Sequence, residues 1–368
     1  MKIDRIRLDR LVLPLDPSFA AAWDPVPRRS FLATIVRVDT DDGLTGVGSG
    51  DTMDGFDAYR HLFIGQDPLA LARHVRVLET IDFHAGRYWP LEVALWDIVG
   101  QVAGLPVATL FGGALDGLPV YASCGELVAP EERAQRVLRF QDEGFRALKI
   151  RVDPRRLPEG LAAVEATRRA VGDEMGIMVD LNQGWRMPGD TKPALDPAGA
   201  RNAVARLREL DVLWVEEPLA GTDLHGLREL RLATGQRIAG GEMIRTFPEL
   251  VVALESDAFD VIQPDVVLAA GMSRVRTLAE LTLARHRWFT PHTSTNGIGL
   301  LANLHVAAGV GGGPFLEFPY DPPGWTVERR DFMLAEPLRA DADGTLRVSG
   351  RPGLGITLDD HAIRRYAA

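Results

Sequence analysis

Three acidic residues stand at the ends of short apolar runs: Asp180 in GIMVDLNQ, Glu216 in VLWVEEP and Glu242 in RIAGGEM. Any one of them reads equally well as a solvated strand end or a helix cap. Brought together from consecutive strands, three carboxylates would repel one another strongly unless a cation neutralised them. An all-oxygen set of this kind suits a hard divalent ion such as Mg²⁺, which takes a few carboxylates and keeps positions open for water or substrate oxygens. The next two runs end in Asp265 (VIQPD) and His292 (FTPHTS). Neighbouring strands lie roughly 4.8 Å apart, so Asp265 can reach His292, fix its tautomer and raise its basicity for general base or acid work.

Other side chains join this set through the period of two along a strand. In RALKIRVD, Lys149 and Arg151 share one face and present two fixed cations side by side. Asn182 shares a face with Asp180, whereas Glu217 follows Glu216 directly and is expected to point the other way in a supporting role. Glu317, in FLEFPY, ends the last run and can donate to a developing oxyanion if an apolar site keeps it protonated. The remaining seven histidines read as surface or packing residues.

The elements that must carry these residues follow from the pattern of runs. From about residue 118 onward LPVYASCG, ALKIRVD, GIMVDLNQ, VLWVEEP, RIAGGEM, VIQPDVV, WFTPHTS and FLEFPY recur with helical stretches between them. Such repeated β-α units predict an α/β fold, a (β/α)7β-type TIM barrel whose polar strand ends gather at the C-terminal mouth. A doubly wound sheet is the rival, but SCGEL after the first run is no glycine-rich phosphate loop. Residues 1–115 combine a strand meander, turning at Asp41-Asp42-Gly43, with a helical stretch that includes PLEVALWDIVGQVAGL. They read as an α+β cap, residues 116–325 as the barrel, and residues 326–368 as a tail that completes the cap.

Composition narrows the function class. The chain has 368 residues, a net charge of −10, 46% hydrophobic and 25% charged residues, which suits a globular protein and argues against nucleic acid or an anionic membrane as partner. Cys124 is the one cysteine, so no intrachain disulfide can form, and a catalytic thiol lacks any activating neighbour. MKIDRIRLDRLVLPL is charged throughout, unlike a signal peptide, and no run approaches the roughly 20 apolar residues of a membrane span. A cytoplasmic location is expected.

KIR, DLN, EEP, GGE, PD, PHTS and LEF, in this order on the second to eighth strands, resemble the mandelate racemase subgroup of the enolase superfamily. LEVALWDIVGQVAGLPVATLFGG resembles the segment that joins that family's cap to its barrel, and the likeness covers essentially the whole chain. The resemblance implies a common step in which Mg²⁺ binds a small substrate's carboxylate, a base removes the α-proton, and the metal stabilises the enediolate. It implies Asp180, Glu216 and Glu242 as metal ligands, Asp265 and His292 as the catalytic pair, and Glu317, Lys149 and Arg151 at the substrate carboxylate.

One departure bears on the reaction. The racemase motif on the second strand is Lys-x-Lys with the second lysine as a base, and here Arg151 takes that place. A guanidinium is a poor base at neutral pH. Dehydration of a sugar acid to a 2-keto-3-deoxy acid, which needs a base on one side only, is therefore favoured. Racemisation or epimerisation of a 2-hydroxy acid is the alternative, with cycloisomerisation or a barrel that has lost catalysis behind it. Substrate choice is expected to rest on two cap loops, one with Phe19 and Trp23 as an apolar lid, the other with Asp51 and Asp54 for hydroxyls. A homo-oligomer, from dimer to octamer, is implied as well.

Overall fold

The computed structural model describes residues 1–293 and 295–368. Its N-terminal portion is a three-stranded antiparallel sheet of β1 (Ile3–Phe19), β2 (Arg28–Thr40) and β3 (Thr45–Gly48), backed by α1 (Leu71–His84) and α2 (Trp89–Ala103). Glycines at 46 and 48 let α2 lie directly on β3. An added Cβ at Gly46 would fall 2.1 Å from the Ala94 carbonyl oxygen, and one at Gly48 would fall 2.0 Å from that of Pro90. α2 is apolar around most of its circumference, with ten of its residues buried, because it is wedged between the sheet and the barrel.

After a single turn, α3 (Val107–Leu110), the chain enters the barrel. Its strands are β4 (Gly117–Ser123), β5 (Ala147–Arg151), β6 (Gly176–Asp180), β7 (Val215–Glu216), β8 (Ile238–Gly240), β9 (Val261–Ile262), β10 (Trp288–Phe289) and β11 (Leu316–Pro319). Seven helices alternate with them: α4 (Pro130–Asp142), α5 (Leu157–Val171), α6 (Pro197–Arg208), α7 (Leu224–Thr234), α8 (Phe247–Glu255), α9 (Gly271–Ala284) and α10 (Gly297–Val310). The strands pair in parallel from β4 to β10, and β11 pairs with β4, giving the curled (β/α)7β arrangement expected from the sequence. Polar caps start several of the helices: Asp196, Asp223, Thr246 and Asn296 each accept a backbone N–H in the first turn of α6, α7, α8 and α10.

Inside the barrel the period of two sorts residues into layers. Tyr121, Ala147, Met178, Trp214 and Val261 form a buried apolar floor. Two residues further along the same strands stand Ser123, Lys149, Asp180, Glu216 and Gln263, all polar and buried. The floor thus keeps water from below, and the chemistry occupies the layer above it.

The tail makes contacts with both parts. β12 (Thr345–Arg347) pairs antiparallel with β4, and beyond it the Leu354 N–H donates to Asp97 of α2 (2.8 Å). The short α11 (Val327–Arg330) precedes β12, and α12 (Asp360–Arg365) ends the chain, which then bonds to β1 through Val12 N–H to Tyr366 O (2.8 Å) and Ala368 N–H to Arg10 O (2.9 Å). Among the described residues no helix is long and apolar enough to cross a membrane.

Candidate active site

Register places the acids. Arg151 lies opposite Asp180 on the neighbouring strand, and Asp180 opposite Glu216. Asp180, Glu216 and Glu242 each bring one carboxylate oxygen to a common point, all within 4.8 Å of one another and all buried. Glu242 reaches it against the period of two: Gly241 adopts φ +107°, and the twist aims the following side chain inward. Asn182 also leaves the strand pattern, at φ +46°, yet its backbone N–H donates to Asp180 Oδ1 (2.7 Å), so it stays beside Asp180.

The cations lie between the acids. Lys149 Nζ is 2.5 Å from Glu216 Oε1, 2.8 Å from Glu317 Oε1 and 3.6 Å from Asp180 Oδ2. Burial alone would drive the ammonium to lose its proton, but Glu216 and Glu317 outweigh it and hold Lys149 above its ordinary value. Arg151 pairs with Asp180, donates from Nε to the Cys124 carbonyl (3.1 Å) and lies 4.6 Å from the Trp23 ring centre. Glu216 also accepts from Gln263 Nε2 (2.8 Å), and burial notwithstanding, Lys149 and Arg151 hold it below the usual carboxylate range.

On the other side, His292 Nδ1 lies 3.1 Å from Asp265 Oδ2, and Nε2 lies 3.5 Å from Glu242 Oε2. With Nδ1–H donating to Asp265, Nε2 is the nitrogen that faces the site. Burial opposes the imidazolium, but Glu242, Glu317 and the bond to Asp265 prevail and carry His292 up to about 10. A cation on Glu242 would cancel one of those contributions and favour the neutral, basic imidazole.

Two expectations are corrected. Glu317 does not meet the condition for proton donation: burial raises it, but Lys149 and His292 pull it below the ordinary range, and it accepts from Ser123 Oγ (2.6 Å) and the Thr293 N–H (2.9 Å). Phe19 is not a free lid residue; it is buried, 5.3 Å from the Trp325 ring, and a Cβ on Gly125 would strike it at 2.3 Å. Trp23 remains half-buried above Arg151. In the second cap loop Asp51 pairs with Arg87 (3.1 Å) beside a cavity of about 1380 Å³, whereas the Asp54 side chain is 82% exposed.

Glu217, at φ +45°, turns away from the strand and is buried against that same cavity with Oε2 unpartnered. Burial first, then Glu242 and Glu216, push it well above the carboxylate range. The sequence reading missed Trp185, whose Nε1–H donates to Glu242 Oε1 (2.6 Å) and which lines both the large cavity and a small one of about 50 Å³ beside Arg151 and Asn182. An indole on the loop after a motif strand was the available signal.

The donor set fits a divalent metal. Among the described residues five buried carboxylates, Asp180, Glu216, Glu242, Asp265 and Glu317, gather round two fixed cations and one imidazole, so negative charge is left in excess. Glu242 Oε2 is buried without a hydrogen-bond partner, as an oxygen reserved for a cation would be.

Residues 132–362 match the family model described as Enolase C-terminal domain-like. The chain belongs to the enolase superfamily, in its mandelate racemase/muconate lactonizing subgroup. It is 28% identical over 384 residues to the L-talarate/galactarate dehydratase of Salmonella typhimurium, covering 99% of this chain and 90% of that one. It is 29% identical over 387 residues to the 3,6-anhydro-alpha-L-galactonate cycloisomerase of Streptomyces coelicolor, covering 99% of each. The solved structure of a racemase from Streptomyces coelicolor A3(2) with bound magnesium superposes with a TM-score of 0.85 at 28% identity, covering 100% of both chains. Relatives of this superfamily enzyme therefore include dehydratases and isomerases, joined by proton abstraction next to a carboxylate.

Proposed function

We propose that this enzyme dehydrates a sugar acid to a 2-keto-3-deoxy acid with Mg²⁺ as cofactor, removing the proton α to the substrate carboxylate. The observation that carries the reading is the asymmetry of the site: among the described residues one imidazole faces it, from the loop after β10, and the basic side chains of the opposite wall are Lys149 and Arg151, both locked in ion pairs. A guanidinium is a poor proton acceptor, and the Lys149 ammonium is engaged by Glu216 and Glu317, so a two-base racemisation lacks a free second base. The dehydratase among the relatives supports the same reading.

Asp180, Glu216 and Glu242 would hold a divalent cation, which would supply Lewis-acid charge to the substrate carboxylate and so make the α-proton more acidic. Lys149 and Arg151 face the same carboxylate and offset the second negative charge that develops there. His292 Nε2 takes the α-proton, and the C–H electrons form a C=C bond as the β-hydroxyl leaves. The imidazolium returns its proton to that hydroxyl, water departs, and the enol becomes the ketone. Asp265 stabilises the imidazolium between the two transfers. Asn182 and Trp23, beside Arg151, contact the rest of the sugar chain.

The test is a panel of mono- and diacid sugars incubated with enzyme and Mg²⁺ and assayed for 2-keto-3-deoxy products. A keto product supports the reading, and epimerisation at C2 with no keto product overturns it.

A further inference from the structure

Asp265 would serve the His292 imidazole only if its carboxylate plane were held. Oδ2 faces His292, so Oδ1 must carry the restraint. Two donors meet Oδ1: the Val267 N–H (3.0 Å) and the side-chain amide of Asn303 (Nδ2, 3.0 Å). Asn303 lies in the middle of α10, buried, in the stretch GIGLLANLHVAAGV, which is apolar apart from it and His305. Its other amide hydrogen goes to the Gly299 carbonyl (3.1 Å), and its Oδ1 accepts the Val266 N–H (3.1 Å).

This network fixes which way the amide points. Turned over, its oxygen would face a carboxylate and a carbonyl, and its NH₂ would face an N–H, leaving buried groups unpaired. Asn303 is thus held by the backbone of α10 and of the strand loop, and it transmits that rigidity to Asp265.

We propose that Asn303 is a positioning residue for the Asp265–His292 pair, locking the aspartate so that its second oxygen fixes the tautomer and aim of the imidazole. The inference rests on the proposed role of His292. A residue serving only to join α10 to the loop would affect stability and leave the imidazole's hydrogen bond unchanged.

The test uses the Mg²⁺-loaded full-length enzyme. Proton NMR records the His292 Nδ1–H as a downfield resonance, identified by its loss in His292→Asn. In Asn303→Leu and Asn303→Ser this resonance should shift upfield. With the panel acid that turns over fastest, kcat should fall about 10- to 100-fold in N303L and less in N303S, which keeps a hydroxyl donor, while KM and Mg²⁺ affinity change little. N303S removes few atoms and decides the matter should N303L not fold. An unmoved resonance, or unchanged kcat, overturns the assignment. If His292→Asn itself leaves turnover intact, the reaction proposed above fails instead, and the resonance still tests the link from Asn303 to His292.

Discussion

Lys149 is the buried charge on which the acid cluster depends, and replacing it with methionine isolates that dependence. Methionine keeps most of the volume of the stem and deletes the ammonium from among Glu216, Glu317 and Asp180. Removing one partner of a buried ion pair costs about 3–5 kcal/mol because the other is left uncompensated. The methionine is itself easy to bury, which argues for the lower end, about 3 kcal/mol. At about 2 °C per kcal/mol for a chain of this size, the midpoint of thermal unfolding in EDTA should drop by roughly 6 °C. Mg²⁺ reverses part of the loss. A ligand at 100 times its Kd adds about 2.7 kcal/mol, and without the competing ammonium the variant's carboxylates should gain more from Mg²⁺ than the wild type's do. Melting curves of both proteins across a Mg²⁺ titration measure both effects. Equal midpoints in EDTA, or a smaller Mg²⁺ gain in the variant, would refute the reasoning.

Arg151→Lys keeps a positive charge near Asp180 but loses the bond to the Cys124 carbonyl and the stacking on Trp23, so it should retain part of the dehydratase activity; gain of racemase activity would show that the arginine had been blocking a second base. Asp97, buried in α2, accepts from the Val47 and Leu354 N–H groups, and burial raises it to about 6. Its folded value exceeds the unfolded one, so its stabilising protonated form is fully present below about pH 4, and that contribution is lost as pH rises through about 6. The difference is worth about 3 kcal/mol, so the stability of Asp97→Asn relative to wild type should rise by about that much between pH 4 and 7. Urea unfolding at the two pH values measures it, and parallel pH profiles would contradict the assignment.

Much of this site is legible in the sequence because a strand's period of two is set by backbone geometry alone. Asp180 above Met178, Glu216 above Trp214 and Lys149 above Ala147 are each two residues apart, and each pair is an inward floor-and-mouth pair. Where the backbone leaves the strand, the rule loses its hold. Glu242 faces inward only because Gly241 takes a positive φ, and no spacing announces that. The ionisation of Glu317 depends on a lysine 168 positions away in the chain that lies 2.8 Å away in space. Phe19 looks like a lid residue in SFAAAWDP, but Trp325, from the loop after β11, packs against it. Asn303 left one trace, a lone amide in a mostly apolar helix, whose meaning appears only when Asp265 is placed beside it.

The most direct test of α-proton abstraction by His292 is the loss of substrate C2–H to solvent, followed by NMR in D₂O with Mg²⁺ for wild type and His292→Asn at matched Mg²⁺ saturation. The account predicts C2–H loss, with keto product, in the wild type, and neither in the variant, which should bind Mg²⁺ nearly as tightly. Undiminished exchange in the variant, or loss of Mg²⁺ binding with it, would contradict the placement of the histidine as the base.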